Sequence, residues 1–577
     1  MIRFYLNGKY HEINHLNPNT TVLEYLRLHA RQTDVKEGCG SGDCGACTIM
    51  AQRLPTQNSK DSRNNTDTPF YTFNSCITLL SLMDGQHLIT ASYLADNPEH
   101  HPERALLHPA QQAMVDCHGS QCGFCTPGFV MSLASLYENK RLQKKSQSQK
   151  TLSQNARNNS NTEFSYDEIV ASISGNLCRC TGYRPIIDAG LTMEKIGQER
   201  EVAAQAKVQD LTTNSLAVNA IDAMGNKTTR AEVDNSTEST VQTTTIKPAL
   251  SYGTRQLFIP QSIDELNQLV ALYPEAILWA GGTDLGLSIT QRLLDHETII
   301  QLSAVNELKV WSLSESNNAE TDNLTYSSND NKIAAQAITQ ELTFGAGMTY
   351  QQMLPILEHH FPAFADLFAR TASPQIRNMG TLGGNVANAS PIGDLPPVLL
   401  ALEARIHLRH CGFTDENNDE VQVYDEIIPL ADFFLDYKKT KLRAGSYVVA
   451  VHIPLMQANQ HLFIHKISKR YEDDISACLL AARIDLADDG STITQAKIGL
   501  GGMAAIPLLA KNCQQALAGQ LLEMASFAMA AQALPKDVTP MTDVRASREY
   551  RMHVVQRLLI KCGKQLIAAR LAQREPS

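Results

Sequence analysis

No stretch of this chain reaches the roughly 18 consecutive apolar residues that a bilayer-spanning helix requires. Its start, Met1-Ile2-Arg3-Phe4-Tyr5-Leu6-Asn7-Gly8-Lys9-Tyr10, holds no apolar run of signal-peptide length either. These absences set the expectation of a soluble protein in a reducing, cytoplasmic compartment, without membrane contact. Basic charge is also short, since 50 Lys and Arg against 60 Asp and Glu leave a net charge of −10. Such a balance carries no electrostatic footprint for nucleic acid. No G-x-G-x-x-G stands at a strand-to-helix junction, so the Rossmann route to a dinucleotide is closed and any dinucleotide must be held by another fold.

Cysteine, by contrast, is plentiful, and eight of the 13 fall into two groups. Cys39, Cys44 and Cys47 are answered by Cys76, and Cys122 and Cys125 by Cys178 and Cys180. Four disulfides are one use for eight cysteines, but a chain of 577 residues buries ample core without staples. In a reducing compartment thiols serve metals. The first group has the C-x4-C-x2-C spacing with a distant fourth Cys of plant-type [2Fe–2S] ferredoxins. Gly38, Gly40, Gly42 and Gly45 beside its thiolates suit a loop that turns backbone N–H groups towards inorganic sulfur, which tells against zinc. The second group alone fits zinc about as well as iron, and its ferredoxin-like neighbour favours iron. Cys117, Cys411, Cys478, Cys513 and Cys562 have no partner at ligand spacing and read as small hydrophobes. Counting Cys117 would give the second site a fifth thiolate.

Polar stretches punctuate the chain. Residues 52–69 and 141–161 read as surface insertions, and about 197–247 as an interdomain linker, all rich in Ser, Thr, Asn and Gln. Before the first of these, the alternation of Ile2, Phe4 and Leu6 predicts a strand, Asn7-Gly8 a hairpin, and Leu23, Leu26 and Leu28 a helix from Thr21. Thr48, Ile49 and Met50 begin another strand. Helical spacing follows over Pro109 to Val115, Gly128 to Tyr137 and Tyr166 to Ser172, with a helix start at Thr126-Pro127-Gly128. Beyond the linker the pattern is mixed α/β: a buried strand over Ala276 to Ala280 runs into Gly281-Gly282-Thr283-Asp284. A second Gly-rich loop spans Asn378 to Asn385, closed by Ser390-Pro391-Ile392-Gly393-Asp394. Two such loops suit pyrophosphate contacts from backbone N–H groups, whereas one Gly-Gly turn is more often a tight bend.

Three motifs, Gly38 to Cys47, Gln121-Cys122-Gly123-Phe124-Cys125-Thr126-Pro127-Gly128 and Gly175-Asn176-Leu177-Cys178-Arg179-Cys180-Thr181-Gly182-Tyr183, strongly resemble the iron–sulfur part of the molybdenum hydroxylases. Ile376 to Asn388 resembles the FAD domain of the same enzymes. The resemblance covers nearly the whole chain outside the insertions and linker. It implies an α+β multidomain chain: a ferredoxin-like β-grasp [2Fe–2S] domain over 1–92, a small helical-bundle [2Fe–2S] domain over 93–196 and a polar linker over 197–250. An α/β FAD-binding domain of the molybdenum hydroxylase flavoprotein type follows over 251–456, then a C-terminal α+β flavoprotein subdomain over 457–577. It implies iron ligation by Cys39, Cys44, Cys47 and Cys76, and by Cys122, Cys125, Cys178 and Cys180. Its FAD contacts fall on Leu278, Trp279, Ala280, Gly281, Gly282, Thr283, Asp284 and Leu285 of one pyrophosphate loop, and on Thr381, Gly383, Gly384 and Asn385 of the other. Asp394 matches an acidic residue near the cofactor, Phe344 an aromatic neighbour of the flavin, and Val448 and Lys466 further contacts. Val448 also reads as an ordinary core position. The charged run Lys466 to Asp474 resembles a loop beside the flavin that influences access of NAD, and on composition alone reads as a solvated turn.

Both iron–sulfur domains ahead of the FAD domain, with no molybdenum domain after it, are similar to the small subunits of the bacterial xanthine dehydrogenases. That arrangement implies a molybdenum-binding large subunit carrying the pterin, a heterotetramer of two small and two large chains, and NAD as acceptor. Nothing here resembles a base for attacking a purine ring. The expected path is molybdenum centre, helical-domain cluster, ferredoxin-like cluster, FAD, NAD, with hypoxanthine or xanthine oxidised on the partner. The cluster order comes from the resemblance. Rival readings are the same role in an aldehyde or N-heterocycle hydroxylase, a stand-alone NADH diaphorase, and an interaction protein with structural zinc.

Overall fold

The computed structural model describes residues 1–54, 68–95, 106–151, 163–207, 246–316, 339–413, 420–471 and 473–574. They form two compact units, one of Met1–Ile259, Gly281–Gln301 and Ser373–Met379, the other of Pro260–Ala280, Leu302–Ala372 and Gly380–Ser577. Residues 55–67, 152–161 and 208–245 of the polar stretches, and Glu472 of the charged run, lie outside the described residues. No described helix is long and apolar enough to cross a membrane.

The first unit begins with a five-stranded sheet of β1 (Ile2–Leu6), β2 (Lys9–Ile13), β3 (Thr48–Arg53), β4 (Phe70–Asn74) and β5 (Gln86–Ile89), in the order β2-β1-β5-β3-β4. The β1–β2 hairpin turns on Asn7 and Gly8, both at positive φ (51° and 75°), as a two-residue turn between twisted antiparallel strands requires. β5 lies parallel to β1, and β3 runs antiparallel to β5 and β4. Thr21 caps the predicted helix by accepting from the Glu24 N–H. After Val22–Glu24, however, the turn widens to π geometry over Tyr25–His29, closed by the Ala30 N–H on the Tyr25 carbonyl. The wider turn carries Leu28 off the apolar face and leaves it 61% exposed, against the expectation from its spacing.

Helices Pro109–Asp116, Thr126–Thr151, Tyr166–Ile173 and Arg184–Lys207 follow. They enclose Phe129, Leu133, Ile169, Ile186 and Met193. Ser165 and Glu168 form a capping box at the third helix. The second helix runs on through 141–151, where the polar composition had suggested a surface insertion. Arg, Leu, Lys and Gln propagate a helix well even without an apolar face to bury. Residues 197–207 of the expected linker are likewise the end of the fourth helix. Strands Leu250–Tyr252, Arg255–Phe258 and Thr298–Gln301 complete the unit, the first two antiparallel and the last two parallel.

The second unit holds two larger antiparallel sheets and a two-stranded one of Phe434–Asp436 and Lys439–Thr440. The first has the strand order Trp311–Ser316, Thr339–Gly345, Ser446–Pro454, Arg405–Phe413, Val421–Pro429. Its core includes Leu342, Phe344, Phe364, Phe368, Leu382 and Val451, from the sheet and from helices Pro362–Ala369 and Leu382–Asn388. The second sheet, Gln460–Ile467, Cys478–Leu486, Ile493–Gly501 and Leu508–Leu509, is covered by helix Arg548–Arg574. That helix buries Val555, Leu559, Cys562 and Leu566, whose 4-3-4 spacing sets one apolar stripe against the sheet.

Candidate metal centres and flavin-binding loops

The ferredoxin-like ligands sit where β3 leaves the Gly-rich loop and where β4 ends. Positive φ at Gly40, Gly42 and Gly45 lets the loop curl, and the N–H groups of Ser41 and Cys44 reach the Cys39 sulfur at 3.3 and 3.4 Å. Sulfur as an acceptor of backbone N–H groups is the environment an iron–sulfur thiolate needs. Gly42 is required for space as well, because a Cβ there would lie 2.6 Å from Ile77 Cδ1, next to Cys76. In the helical domain, the Thr181 N–H and hydroxyl lie 3.4 and 3.1 Å from the Cys178 sulfur, and Cys122 and Cys180 lie 3.6 Å apart.

The sulfurs gather two by two: Cys39 with Cys44, Cys47 with Cys76, Cys122 with Cys180, and Cys125 with Cys178. No three His, Cys, Asp or Glu ligands converge on one point among the described residues. Such pairs would suit a two-iron cluster, in which each iron takes two thiolates. In the ferredoxin-like group, a hydrogen bond from Cys44 holds the Cys39 thiol down at about 4, and Cys44 is pushed up in turn. Cys47 and Cys76 divide in the same way. Burial, with Cys178 beside it, pushes Cys125 up to about 12. Burial opposes ionisation of Cys178 too, but the Thr181 hydrogen bonds outweigh it and hold that thiol below its ordinary range. The two sites differ in exposure. Cys47 and Cys76 are each only 2% exposed, while Cys122 and Cys180 are open to solvent.

The five cysteines set aside stay out of both groups. The Cys117 sulfur faces the Thr192 hydroxyl at 3.7 Å, Cys411 faces Asn267, and Cys478, Cys513 and Cys562 are fully buried among apolar side chains.

The residues matched to flavin contacts are placed as follows. Leu278 and Trp279 end the strand Ile277–Trp279, with Trp279 fully buried, and Ala280 follows. Gly281, Gly282 (φ 71°), Thr283, Asp284 and Leu285 form a turn into helix Gly286–Thr290, with Asp284 exposed. Thr381 caps helix Leu382–Asn388 by accepting from the Gly384 N–H at 3.2 Å. Gly383 packs so closely on Ala346 that a Cβ would lie 2.5 Å from the Ala346 Cβ. Beside Gly384, by contrast, only the Thr381 hydroxyl comes within 4 Å of where a Cβ would be. The Asn385 Oδ1 is buried without a hydrogen-bond partner among the described residues. An open glycine backbone beside an unsatisfied buried amide fits a polar cofactor group. Phe344 and Val448 stand in the apolar core of the second unit.

Asp394 and Lys466, matched separately, come together: Lys466 Nζ lies 2.7 Å from Asp394 Oδ2 and 2.9 Å from the Arg370 carbonyl. The Ser476 hydroxyl donates to Asp394 Oδ1, and the Thr371 hydroxyl donates to Oδ2 at 3.3 Å. Spacing gave no sign of these partners. The guanidinium of Arg370 stacks on Tyr471 of the charged run at 4.1 Å. Also missed was Gln291, whose amide donates to the carbonyls of Cys39 and Gly40.

A fourth missed group is a buried polar node. Gln375 Nε2 contacts Thr48 Oγ1 (3.2 Å), Ser132 Oγ (3.4 Å) and Asn176 Oδ1 (3.2 Å). Gln375 directly precedes Ile376 of the Gly-rich stretch, and Asn176 lies inside a cysteine motif. Asn176 stood in its motif without a role, and no sequence signal marked Gln375.

Models of four known domain families match the chain: a 2Fe-2S iron–sulfur cluster binding domain over 4–81, a [2Fe-2S] binding domain over 97–191, the FAD binding domain in molybdopterin dehydrogenase over 251–324 and 331–456, and the CO dehydrogenase flavoprotein C-terminal domain over 463–566. Xanthine dehydrogenase 1 of Arabidopsis thaliana is 28% identical over 89% of this chain and 36% of its own length. Xanthine dehydrogenase of Blastobotrys adeninivorans is 28% identical over 90% and 37%. The chain thus spans about a third of the length of the curated relatives it matches. Among solved structures, reconstituted CO dehydrogenase from Oligotropha carboxidovorans is 23% identical, with a TM-score of 0.44 over 54% of this chain and 96% of that one.

Proposed function

The chain belongs to the molybdenum hydroxylase family and carries two [2Fe–2S] domains and an FAD domain, and from that premise we propose that it is the electron-transfer and NAD-reducing subunit of a xanthine dehydrogenase. Electron transfer through [2Fe–2S] and FAD is the family's chemistry, and the eight cysteines are the iron ligands for it. Bound FAD supplies the conversion between single electrons and a hydride, the form in which NAD accepts them. Each of the loops Leu278 to Leu285 and Thr381 to Asn385 offers backbone N–H groups that would suit its pyrophosphate. Phe344 and Val448 belong to the apolar core of the second unit, and Asp394 with Lys466 forms a fixed ion pair in that unit.

The observation that carries this reading is the unequal burial of the two thiolate sites. Cys122 and Cys180 open to solvent beside the exposed side chains of Phe124 and Leu177, whereas Cys47 and Cys76 are enclosed. A surface site suits exchange with a partner chain, and an enclosed one suits transfer inside this chain. This difference supports the order that the resemblance implies: partner molybdenum centre, helical-domain site, ferredoxin-like site, FAD, NAD. The oxidised substrate is hypoxanthine or xanthine, bound on a large subunit in a heterotetramer of two small and two large chains.

Copurification with the partner under anaerobic conditions, followed by steady-state assay, tests the proposal. Xanthine-dependent NAD reduction is expected. Turnover of aldehydes or other heterocycles without purines overturns the substrate assignment, and a colourless chain containing zinc and no iron overturns the electron-transfer role.

A further inference from the structure

Three glycines bring the two ligand sets into backbone contact. A Cβ at Gly45 would lie 2.2 Å from the Gly175 carbonyl oxygen, and one at Gly128 2.2 Å from the Gly45 carbonyl oxygen. Only glycine permits such an approach. At this contact the Leu177 N–H donates to the Cys44 carbonyl at 2.9 Å. Because Leu177 precedes Cys178, covalent bonds and one hydrogen bond join a sulfur ligand of one site to a sulfur ligand of the other.

Behind this bridge lies the polar node. The side chain of Asn176 donates to the Gly45 carbonyl at 3.0 Å and to Thr48 Oγ1 at 3.3 Å, and accepts from Ser132 Oγ at 2.7 Å. Gln375, with 0% exposure, ties all three together. Its contacts are tightly tied to the ligands: Thr48 follows Cys47, Asn176 stands two residues before Cys178, and Ser132 lies on the helix entered from Cys125. The Gln375 Nε2 carries all three contacts while its Oε1 is buried without a hydrogen-bond partner among the described residues, so an apolar side chain would fill the space at less cost. Packing alone does not explain a glutamine here.

We propose that Gln375, which belongs to the flavin-domain stretch of sequence, is a positioning residue for electron transfer between the two iron–sulfur sites. Its amide fixes Asn176, Asn176 fixes the Gly45 carbonyl, and the Cys44–Leu177 hydrogen bond is thereby held closed. One electron leaves the helical-domain site and enters the ferredoxin-like site, the first oxidised and the second reduced, with no bond made or broken and no proton moved. Coupling through such a bridge falls steeply as it lengthens, so a node that holds it short sets the rate. The inference rests on reading both thiolate sites as [2Fe–2S] clusters.

The test uses the complete chain carrying Gln375→Leu. Iron and FAD content, and the EPR g-values of each reduced cluster, are expected to match the parent. The spin–spin splitting between the two reduced clusters is expected to weaken, and redistribution of a single electron between them after rapid mixing with substoichiometric dithionite to slow severalfold. Parental splitting and rate in a fully loaded Q375L chain overturn the inference. Should Q375L lose a cluster, Asn176→Asp decides, because it replaces the donor to Gly45 and Thr48 by a carboxylate oxygen while keeping the Oδ1 acceptor. A loaded N176D chain with weakened coupling supports the role, and one with parental coupling overturns it. Loss of a cluster from both variants makes the node a device for cluster retention and also overturns it. A parent chain lacking two distinct reduced-cluster signals sinks the underlying cluster assignment instead.

Discussion

Gly45 shows what one side chain must avoid in this molecule. Its φ of 65° and the Gly175 carbonyl oxygen, 2.2 Å from where a Cβ would stand, both exclude a side chain, so Gly45→Ala is expected to destabilise the folded chain by about 1–3 kcal/mol. Urea unfolding of the loaded protein measures this. Gly412→Ala is the control, because nothing lies within 4 Å of a Cβ there and its midpoint is expected to stay near the parent's. Cys122 is a residue of the opposite kind, exposed and, on the proposed function, a ligand of the helical-domain cluster. Cys122→Ala is expected to stop electron flow from xanthine to NAD in the complex while NADH oxidation by FAD continues, read by parallel assays on protein with normal FAD content. Equal loss of both activities counts against the order of the sites. Identity and spacing were enough to single out Cys122, whereas the need for glycine at Gly45 beyond its loop role appears only once Gly175 is seen opposite.

Among elements, the end of strand Gln460–Ile467 and the residue before helix Leu395–Ala401 are locked by the Lys466–Asp394 pair. Lys466→Met leaves the Asp394 carboxylate buried and unpaired, an expected loss of about 3–5 kcal/mol. Adding Asp394→Asn is expected to recover part of it, as thermal unfolding of the single and double variants reports. Across the larger sheet, burial of Glu341 favours the neutral acid, but hydrogen bonds from His452 and Arg405 outweigh it and hold its carboxyl below the ordinary range. A carboxyl depressed in the folded state contributes stability that is present above its unfolded value, about 4.3, and lost as pH falls through the lower folded value. Glu341→Gln is therefore expected to flatten the decline of stability below about pH 4, measured by denaturant midpoints across pH. Periodicity located these elements well but misjudged two. The helix after Thr21 widens into a π turn that exposes Leu28, and the helix from Thr126 continues through polar residues because propensity sustains it where no apolar face is required.

At the scale of the molecule, the unequal enclosure of the two thiolate sites has a chemical consequence. With chelator or air, the helical-domain cluster is expected to bleach first and the ferredoxin-like cluster to persist, followed by EPR of samples reduced at intervals. Binding of the molybdenum subunit is expected to slow the first loss. Simultaneous loss of both clusters would contradict the difference between Cys122 and Cys180 on one side and Cys47 and Cys76 on the other. The sequence by itself determined the two cysteine groups, the glycine-rich loops and most helices and strands, because residue spacing, turn chemistry and amphipathic periodicity act over a few residues to a few tens of residues. Only the tertiary structure decided which thiolate site faces solvent, that Asp394 pairs with Lys466 across 72 positions, and that Gln375 reaches Thr48 across 327. Those outcomes depend on which distant surfaces pack together, and burial gives a lone amide or carboxylate its role only after the partners that must satisfy it have been brought alongside.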